Sequence, residues 1–194
     1  MDRLLKRFVS SFGPGCSSNW SFPTVHPVPI NEAERLEIVR DLGLVARNSA
    51  PALQAICRRA LRDFKVSTVL ITLVEENEVV ELAMAGRDLP MLPRQQAFCS
   101  HVIVEDSALV VADLRSDARF ARNILVCGHG LRSIAAAPIR HNGQHAIGAF
   151  CLLDTVPRDF TRREVSYLQR LAERAATEIW FCDAVNRPNL VLID

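Results

Sequence analysis

The chain has 194 residues, of which 49% are apolar, 23% charged and 6% aromatic, and its formal net charge is +1. That length supports one domain with a real core rather than two ordinary ones. A charge so near zero, with no basic run interleaved with aromatics, supplies no field to recruit nucleic acid or an anionic surface, and no window approaches the roughly 18–20 continuous apolar residues of a membrane helix.

In chain order, Met1–Phe12 sets Arg3, Lys6 and Arg7 among Leu4, Leu5, Phe8, Val9 and Phe12. Interleaved charges exclude a secretory signal and leave either a loosely ordered tail or a short amphipathic helix. Residues 10–30 are rich in Ser, Gly and Pro, including Pro14, Pro23, Pro27 and Pro29, and are expected to be an extended linker. The fold is expected to begin at Asn31, where Asn31 and Glu34 fit a capping box and Leu36, Val39, Leu42 and Val45 recur at helical spacing. Ser49 with Pro51 marks a second helix start, whose buried face is Leu53, Ile56, Cys57, Ala60, Leu61 and Phe64.

Val66–Val74 and Glu78–Met84 are rich in β-branched residues and flank the polar turn Glu75–Glu76–Asn77, so they are expected as two strands. The Pro-containing stretch Gly86–Pro93 is neither regular strand nor helix. Gln96–Val104 is expected as a short helix and Ala108–Leu114 as a strand, and the irregular run Arg115–Gly130 as a loop with a short helix at Ala118–Asn123. Leu131–Arg140 and His145–Leu153 make a hairpin across His141–Asn142–Gly143–Gln144, because Asn-Gly is a strong two-residue turn signal. Both strands are apolar at odd and even positions, so both faces are covered and the strands are central. Thr161 and Glu164 form a second capping box, followed by a long helix striped by Val165, Leu168, Leu171, Ala172, Ala175 and Ile179. The order implies an α+β fold: an antiparallel sheet, terminal helices on one face, and the loop-rich segment 86–130 over the other, where a ligand would sit.

The six cysteines are Cys16, Cys57, Cys99, Cys127, Cys151 and Cys182. With no signal and no zinc-like spacing, they are expected to be thiols of a cytoplasmic protein, and no metal site is expected.

From Phe98 onward the residues resemble a family. The runs Phe98–Cys99–Ser100–His101–Val102–Ile103, Ala108–Asp113 and Asp117–Asn123 are followed by Leu131–Ile139, Ile147–Asp154 and Pro157–Thr161. In order and spacing the set is similar to the GAF domains attached to bacterial sensor kinases and cyclic-dinucleotide enzymes, over roughly residues 32–182. The resemblance implies about six antiparallel strands, a ligand pocket on the face away from the helices, and dimerisation through the first and last helices. It divides the chain into an extension and linker at 1–30, the domain at 31–183 and a C-terminal tail at 184–194. No kinase, cyclase or DNA-binding segment follows, so output is expected from a separate signalling protein, or the chain is a piece of a longer one.

Departures from the family matter as much. Where relatives often have Arg-Phe-Tyr-Ala-Gly, this chain has Arg132–Ser133–Ile134–Ala135–Ala136, so no relative's ligand carries over. The cyclic-nucleotide signature is absent, and so is the Cys-His dipeptide that attaches a bilin, since Ser100 follows Cys99 and Gly128 follows Cys127. A covalent bilin is not expected, and haem ligation through His101 or His129 is disfavoured. The cofactor stays unknown.

Ligand contact is expected from Cys99, His101, Asn123, Cys127, Arg132 and Ser133, with Arg132 able to pair an anionic group. Asp113 and Arg119, with Asp117, are expected to hold the loop, and Asp154 and Arg158 to form a turn and helix-entry pair. Cys99 alternates between core thiol and site residue; Cys127, beside His129 and flanking glycines, alternates between a loop thiol and a reactive one. One enzymatic branch of the family, the free methionine-R-sulfoxide reductases, uses a cysteine at this pocket's mouth. Cys127 stands eleven residues before Pro138, as in that branch, and Cys99 lies near a second cysteine position. The resemblance would imply attack by Cys127 on the sulfoxide and a disulfide with Cys99. Ile134 stands where that branch has an acidic residue, and the segment from Gly86 to Ala97 has no third cysteine. Three functions remain: a small-molecule sensor, which is preferred, the thiol reductase, or a ligandless dimerisation scaffold.

Overall fold

The computed structural model describes residues 26–46, 50–105 and 107–186. The Met1–Phe12 segment, Cys16, most of the expected linker and of the C-terminal tail, the Ser49 helix start, and the side chains of Val45 and Cys182 lie outside the described residues. Two helices open the fold, α1 (Glu32–Ala46) and α2 (Ala50–Phe64), followed by strands β1 (Thr68–Val74) and β2 (Val79–Gly86). A 3₁₀ turn at Arg94–Gln96 leads into the short helix α3 (Cys99–Val102), then strand β3 (Leu109–Val111), short helix α4 (Ile124–Cys127), the hairpin β4 (Ser133–His141) and β5 (His145–Asp154), and the long helix α5 (Arg162–Asn186). No helix among the described residues is long and apolar enough to cross a membrane.

The sheet is antiparallel throughout, with strand order β2-β1-β5-β4-β3. Among the described residues it has five strands where about six were expected. The segment after β2 adds only the isolated bridge Glu78–Pro93; Pro90 and Pro93 bring no N–H to a ladder. The expected strand Ala108–Leu114 is reduced to Leu109–Val111. The helix expected at Ala118–Asn123 is not formed; a helix begins just past it, at Ile124, with Asn123 as its cap. Asn123 takes an extended conformation (φ −67°, ψ 142°) and its side chain accepts from the Leu125 N–H.

Side chains alternate between the two faces of the sheet, with the alternation slipping by one residue where the β4–β5 and β1–β2 registers shift. Val69, Ile71 and Leu73 of β1 and Ile147, Phe150 and Leu152 of β5 face α1, α2 and α5, where Leu53, Cys57, Leu168, Ala175 and Ile179 meet them. Leu70 and Val74, with Ala149, Cys151 and Leu153, face the loop-rich side and pack under Leu89, Leu92, Phe98, Phe120 and Leu125. Both layers are almost fully buried, which is why neither β4 nor β5 shows polar alternation in sequence. The helical stripes are used in this packing: Leu36, Val39 and Leu42 of α1, and Leu168, Leu171, Ala172, Ala175 and Ile179 of α5, are all buried within the one chain.

Three local signals set the frame. Asn142 and Gly143 both have positive φ (50° and 72°), and Gln144 N–H donates to His141 C=O, so the hairpin closes through the mirror-image turn that Asn-Gly favours. Gly148 of β5 lies so close to β1 that a Cβ there would stand 1.9 Å from the Thr72 carbonyl oxygen. Thr161 and Glu164 form the expected reciprocal cap: Thr161 N–H donates to Glu164 Oε2 (2.8 Å) and Glu164 N–H to Thr161 Oγ1 (3.2 Å). The Asn31–Glu34 box is not made. The Asn31 amide instead meets His145 Nδ1 at 2.8 Å, tying the start of α1 to β5.

Candidate ligand-binding site

The loop-side face of the sheet carries an apolar cavity. Its floor is Leu70 of β1, Cys99, and Cys151 and Leu153 of β5; its walls are Val79, Ala97, Phe98 and Leu125; its roof is the run Leu89–Pro90–Met91–Leu92. The space open to the centre of a water-sized sphere is about 30 Å³, room for roughly two waters. Among the described residues, no charged side chain contributes to the lining. The space lies under a loop that carries two prolines and is tied by the Glu78–Pro93 bridge.

Two sulfurs meet at this floor. Cys99 opens α3 and Cys151 lies mid-strand in β5; their Sγ atoms are 3.9 Å apart, and the buried Thr72 hydroxyl stands 3.3 Å from Cys99 Sγ. Hydrogen bonding from Cys151 and from Thr72 pulls the Cys99 thiol below the ordinary thiol range against the opposing effect of burial. Cys151, hydrogen-bonded to Cys99 and buried, is pushed up.

The other expected contact residues sit apart from the lining and are engaged in holding the loops. His101 packs edge-on to Phe120, 4.8 Å between ring centroids, and burial with the nearby Arg119 charge lowers its pKa. Asn123 caps α4 and donates from Nδ2 to Gln96 C=O at 2.6 Å, fastening α4 to the 3₁₀ turn. Arg132 grips Asp113 with two parallel hydrogen bonds of 3.0 and 2.7 Å, the bidentate geometry suited to a carboxylate; that pair and the Arg115 N–H hold the Asp113 carboxyl below its usual range. Ser133 Oγ donates to Val156 C=O. Cys127 is exposed, and its thiol donates to Ala121 C=O at 3.3 Å. The sulfur contacts of Cys99 are with Cys151 and Thr72 and not with Cys127.

The expected loop-holding residues pair as follows. Arg119 binds Asp117 through Nε and Nη2 and lies over the Phe120 ring. Asp154 Oδ1 accepts the Thr155 N–H, and the Asp154 carbonyl accepts the Arg132 N–H. Arg158 reaches Glu164 and the Phe64 carbonyl rather than Asp154, so it links the start of α5 to the end of α2.

Sequence reading missed a buried ion cluster beside the site. Arg35 of α1 is fully buried and Arg94 is 2% exposed. Both bind Glu32: Arg35 through Nε and Nη2 at 2.8 Å each, Arg94 through Nη1 at 2.5 Å. The same Arg94 nitrogen reaches the Glu75 and Glu76 carbonyls, and Arg35 Nη1 donates to Val74 C=O at 2.6 Å. Nε and Nη2 of Arg94 are buried without a hydrogen-bond partner. Burial would raise the Glu32 pKa, but hydrogen bonds and charge from the two guanidiniums outweigh it and bring it down to about 2. The cluster ties α1, the β1–β2 turn and the loop leading into α3 together. Only the partial spacing Glu32–Arg35, three apart on a helix face, hinted at it; an arginine beside a proline gave no sign of burial.

A family model for the GAF domain matches residues 50–179. No curated protein matches the chain in sequence. Solved structures similar to it include a type II free methionine-R-sulfoxide reductase from Thermoplasma acidophilum, with 17% identity over 70% of this chain and 94% of that one and a TM-score of 0.60. A free methionine-R-sulfoxide reductase from Neisseria meningitidis, solved with its substrate, has 17% identity over 84% and 99% of the two chains and a TM-score of 0.61. The GAF domain region of a membrane protein from Geobacter sulfurreducens has 19% identity over 75% and 99%, with a TM-score of 0.59.

Proposed function

The chain belongs to the GAF domain family, and from that membership and its cavity we propose that it is a regulatory domain that binds a small, predominantly apolar molecule. The carrying observation is the uncharged cavity under the Leu89–Leu92 loop, on the sheet face away from the helices. Apolar walls select by shape and by the water they release. Recognition of an anionic or zwitterionic ligand would need ionic groups that this lining lacks. The proposal takes residues 31–183 as the domain, 1–30 as an extension and 184–194 as a tail. Of the expected contact residues it keeps Cys99 at the ligand, and gives His101, Asn123, Arg132 and Ser133 the task of holding the loops that frame it. Signalling follows if the ligand favours one position of the roof loop over another, passed on through α1 and α5 to a second copy or a separate protein. The described cysteines are free thiols, which suits a cytoplasmic setting.

The test is thermal denaturation of the full chain against a panel of small apolar and polar metabolites, with Ala97→Leu alongside. Ala97 lines the cavity and is 9% exposed, so the larger side chain fills it. At a concentration 100 times Kd, a ligand adds about 2.7 kcal/mol, or roughly 5–10 °C for a domain this size. The proposal expects such a shift from an apolar compound in the native chain, lost in Ala97→Leu. No shift at all favours the ligandless scaffold, and shifts from charged compounds alone mean a ligand this apolar lining does not select; either result overturns the proposal.

A second reading, reduction of free methionine-R-sulfoxide, draws on the exposed thiol of Cys127 and the fold shared with the two reductases. It needs ionic partners for the substrate's ammonium and carboxylate groups, and an uncharged cavity offers none. Turnover of free methionine-R-sulfoxide with a thiol reductant, abolished in Cys127→Ser, would replace the first reading with this one.

A further inference from the structure

We propose that Cys99 and Cys151 form a reactive dithiol on the cavity floor, a site at which a small uncharged hydroperoxide oxidises the domain to an internal disulfide. Four observations combine. The two sulfurs face one another at 3.9 Å, from α3 and from the middle of β5. Both line the cavity, so a reagent that enters it meets them. The Thr72 hydroxyl stands 3.3 Å from Cys99 Sγ, against 3.5 Å to the Ala149 carbonyl, so it is placed to stabilise negative charge on that sulfur. Finally, the other described thiols lack these features: Cys57 is buried on the helix side, bonds the Ala83 carbonyl and is pushed up to about 12 mainly by burial, while Cys127 lies exposed on a loop.

The chemistry follows from the asymmetry of the pair. Cys99, whose charged form is supported by Thr72 and Cys151, is the attacking thiolate. It attacks one peroxide oxygen; the O–O bond breaks, leaving Cys99 sulfenic acid and a hydroxide or alkoxide that takes a proton to leave as water or alcohol. Cys151 sulfur then attacks the sulfenic sulfur, the S–O bond breaks, and the Cys151 proton leaves with the oxygen as a second water. Two thiols are oxidised and one peroxide reduced. Bonding requires the sulfurs to approach by about 2 Å, since a disulfide bond spans about 2.05 Å. That movement draws α3 toward β5 and reshapes the cavity floor, so oxidation and ligand binding act on the same space. The inference uses the cavity but not the identity of any ligand.

The experiment treats the reduced full chain with hydrogen peroxide, then blocks remaining thiols in denaturant and maps the peptides. The expected product has lost about 2 Da and contains a peptide pair joined through Cys99 and Cys151, restored by reductant. Cys127→Ser gives the same product at the same rate. Cys151→Ser instead stops at a Cys99 sulfenic acid, about 16 Da heavier and trapped by a sulfenic-acid reagent. Thr72→Val slows the reaction severalfold and moves its pH midpoint upward, a change that loss of packing alone would not give. Cys99 and Cys151 both still alkylated after peroxide, with Cys127 the oxidised residue, overturns the proposal. If the ligand panel fails while the Cys99–Cys151 disulfide forms, only the ligand reading falls; if the disulfide fails while a ligand binds, only this inference falls.

Discussion

Replacing Glu32 by Gln isolates the ion cluster that holds the first helix to the site. In the native chain one carboxylate, 19% exposed at its side chain, is the shared ion-pair partner of two guanidiniums that are 0% and 3% exposed. Gln keeps the size and one acceptor oxygen but removes the charge, leaving Arg35 and Arg94 as adjacent buried cations, one of them already with two unpartnered nitrogens. Breaking a buried pair from one side costs about 3–5 kcal/mol; because Glu32 keeps some contact with water, about 3 kcal/mol is expected. For a domain of this size that lowers Tm by roughly 6–12 °C. Chemical denaturation followed by circular dichroism at neutral pH reads the change, with Glu76→Gln as control. Glu76 pairs with Arg40 in solvent, both more than 60% exposed, and its loss is worth under about 1 kcal/mol. If Glu32→Gln costs no more than Glu76→Gln, the cluster does not hold the fold and the reasoning fails.

Further outcomes follow from the same structure. Glu32 titrates at about 2 in the fold. Its pKa is depressed, so the stability it contributes is complete above about pH 4.5 and is lost as pH falls toward 2, on the order of 1–2 kcal/mol after screening; acid titration should show this component in the native chain and not in Glu32→Gln. Gly148→Ala drives a Cβ against the Thr72 carbonyl in the central strand pair, and is expected to cost 3 kcal/mol or more, toward the upper end for overpacked cores; near-native Tm would show that β1 and β5 separate more freely than described. Leu168→Ala empties a fully buried position between α5 and the sheet, for about 2–5 kcal/mol in denaturant titration, whereas Cys127→Ser on the exposed loop should stay within about 0.5 kcal/mol.

What was legible in sequence was what local chemistry decides. The Asn142–Gly143 turn and the Thr161–Glu164 cap formed as their residue types require, and the unbroken apolar runs of β4 and β5 correctly announced strands covered on both faces. The irregular segment was harder, because its order rests on pairs distant in sequence. Asn123 stood out as a polar residue at a rim; its partner, the Gln96 carbonyl, lies 27 residues away, and only that contact shows it fastening two loops. Arg132 likewise looked available for an anion until Asp113, 19 residues earlier, closed on it. The Cys99–Cys151 approach spans 52 residues and depends on α3 lying across β5, which no spacing rule reports. Arg35 and Arg94 were hidden for the opposite reason, since long cationic side chains are ordinarily at the surface.

The central claim is that the cavity under the Leu89–Leu92 loop holds a small apolar molecule. Native mass spectrometry of the full chain, equilibrated with the compound giving the largest thermal shift, tests it most directly. One molecule bound per chain, absent from Ala97→Leu run in parallel, is the predicted result. Equal binding to both proteins would put the ligand elsewhere, and an empty native chain at saturating compound would contradict the account.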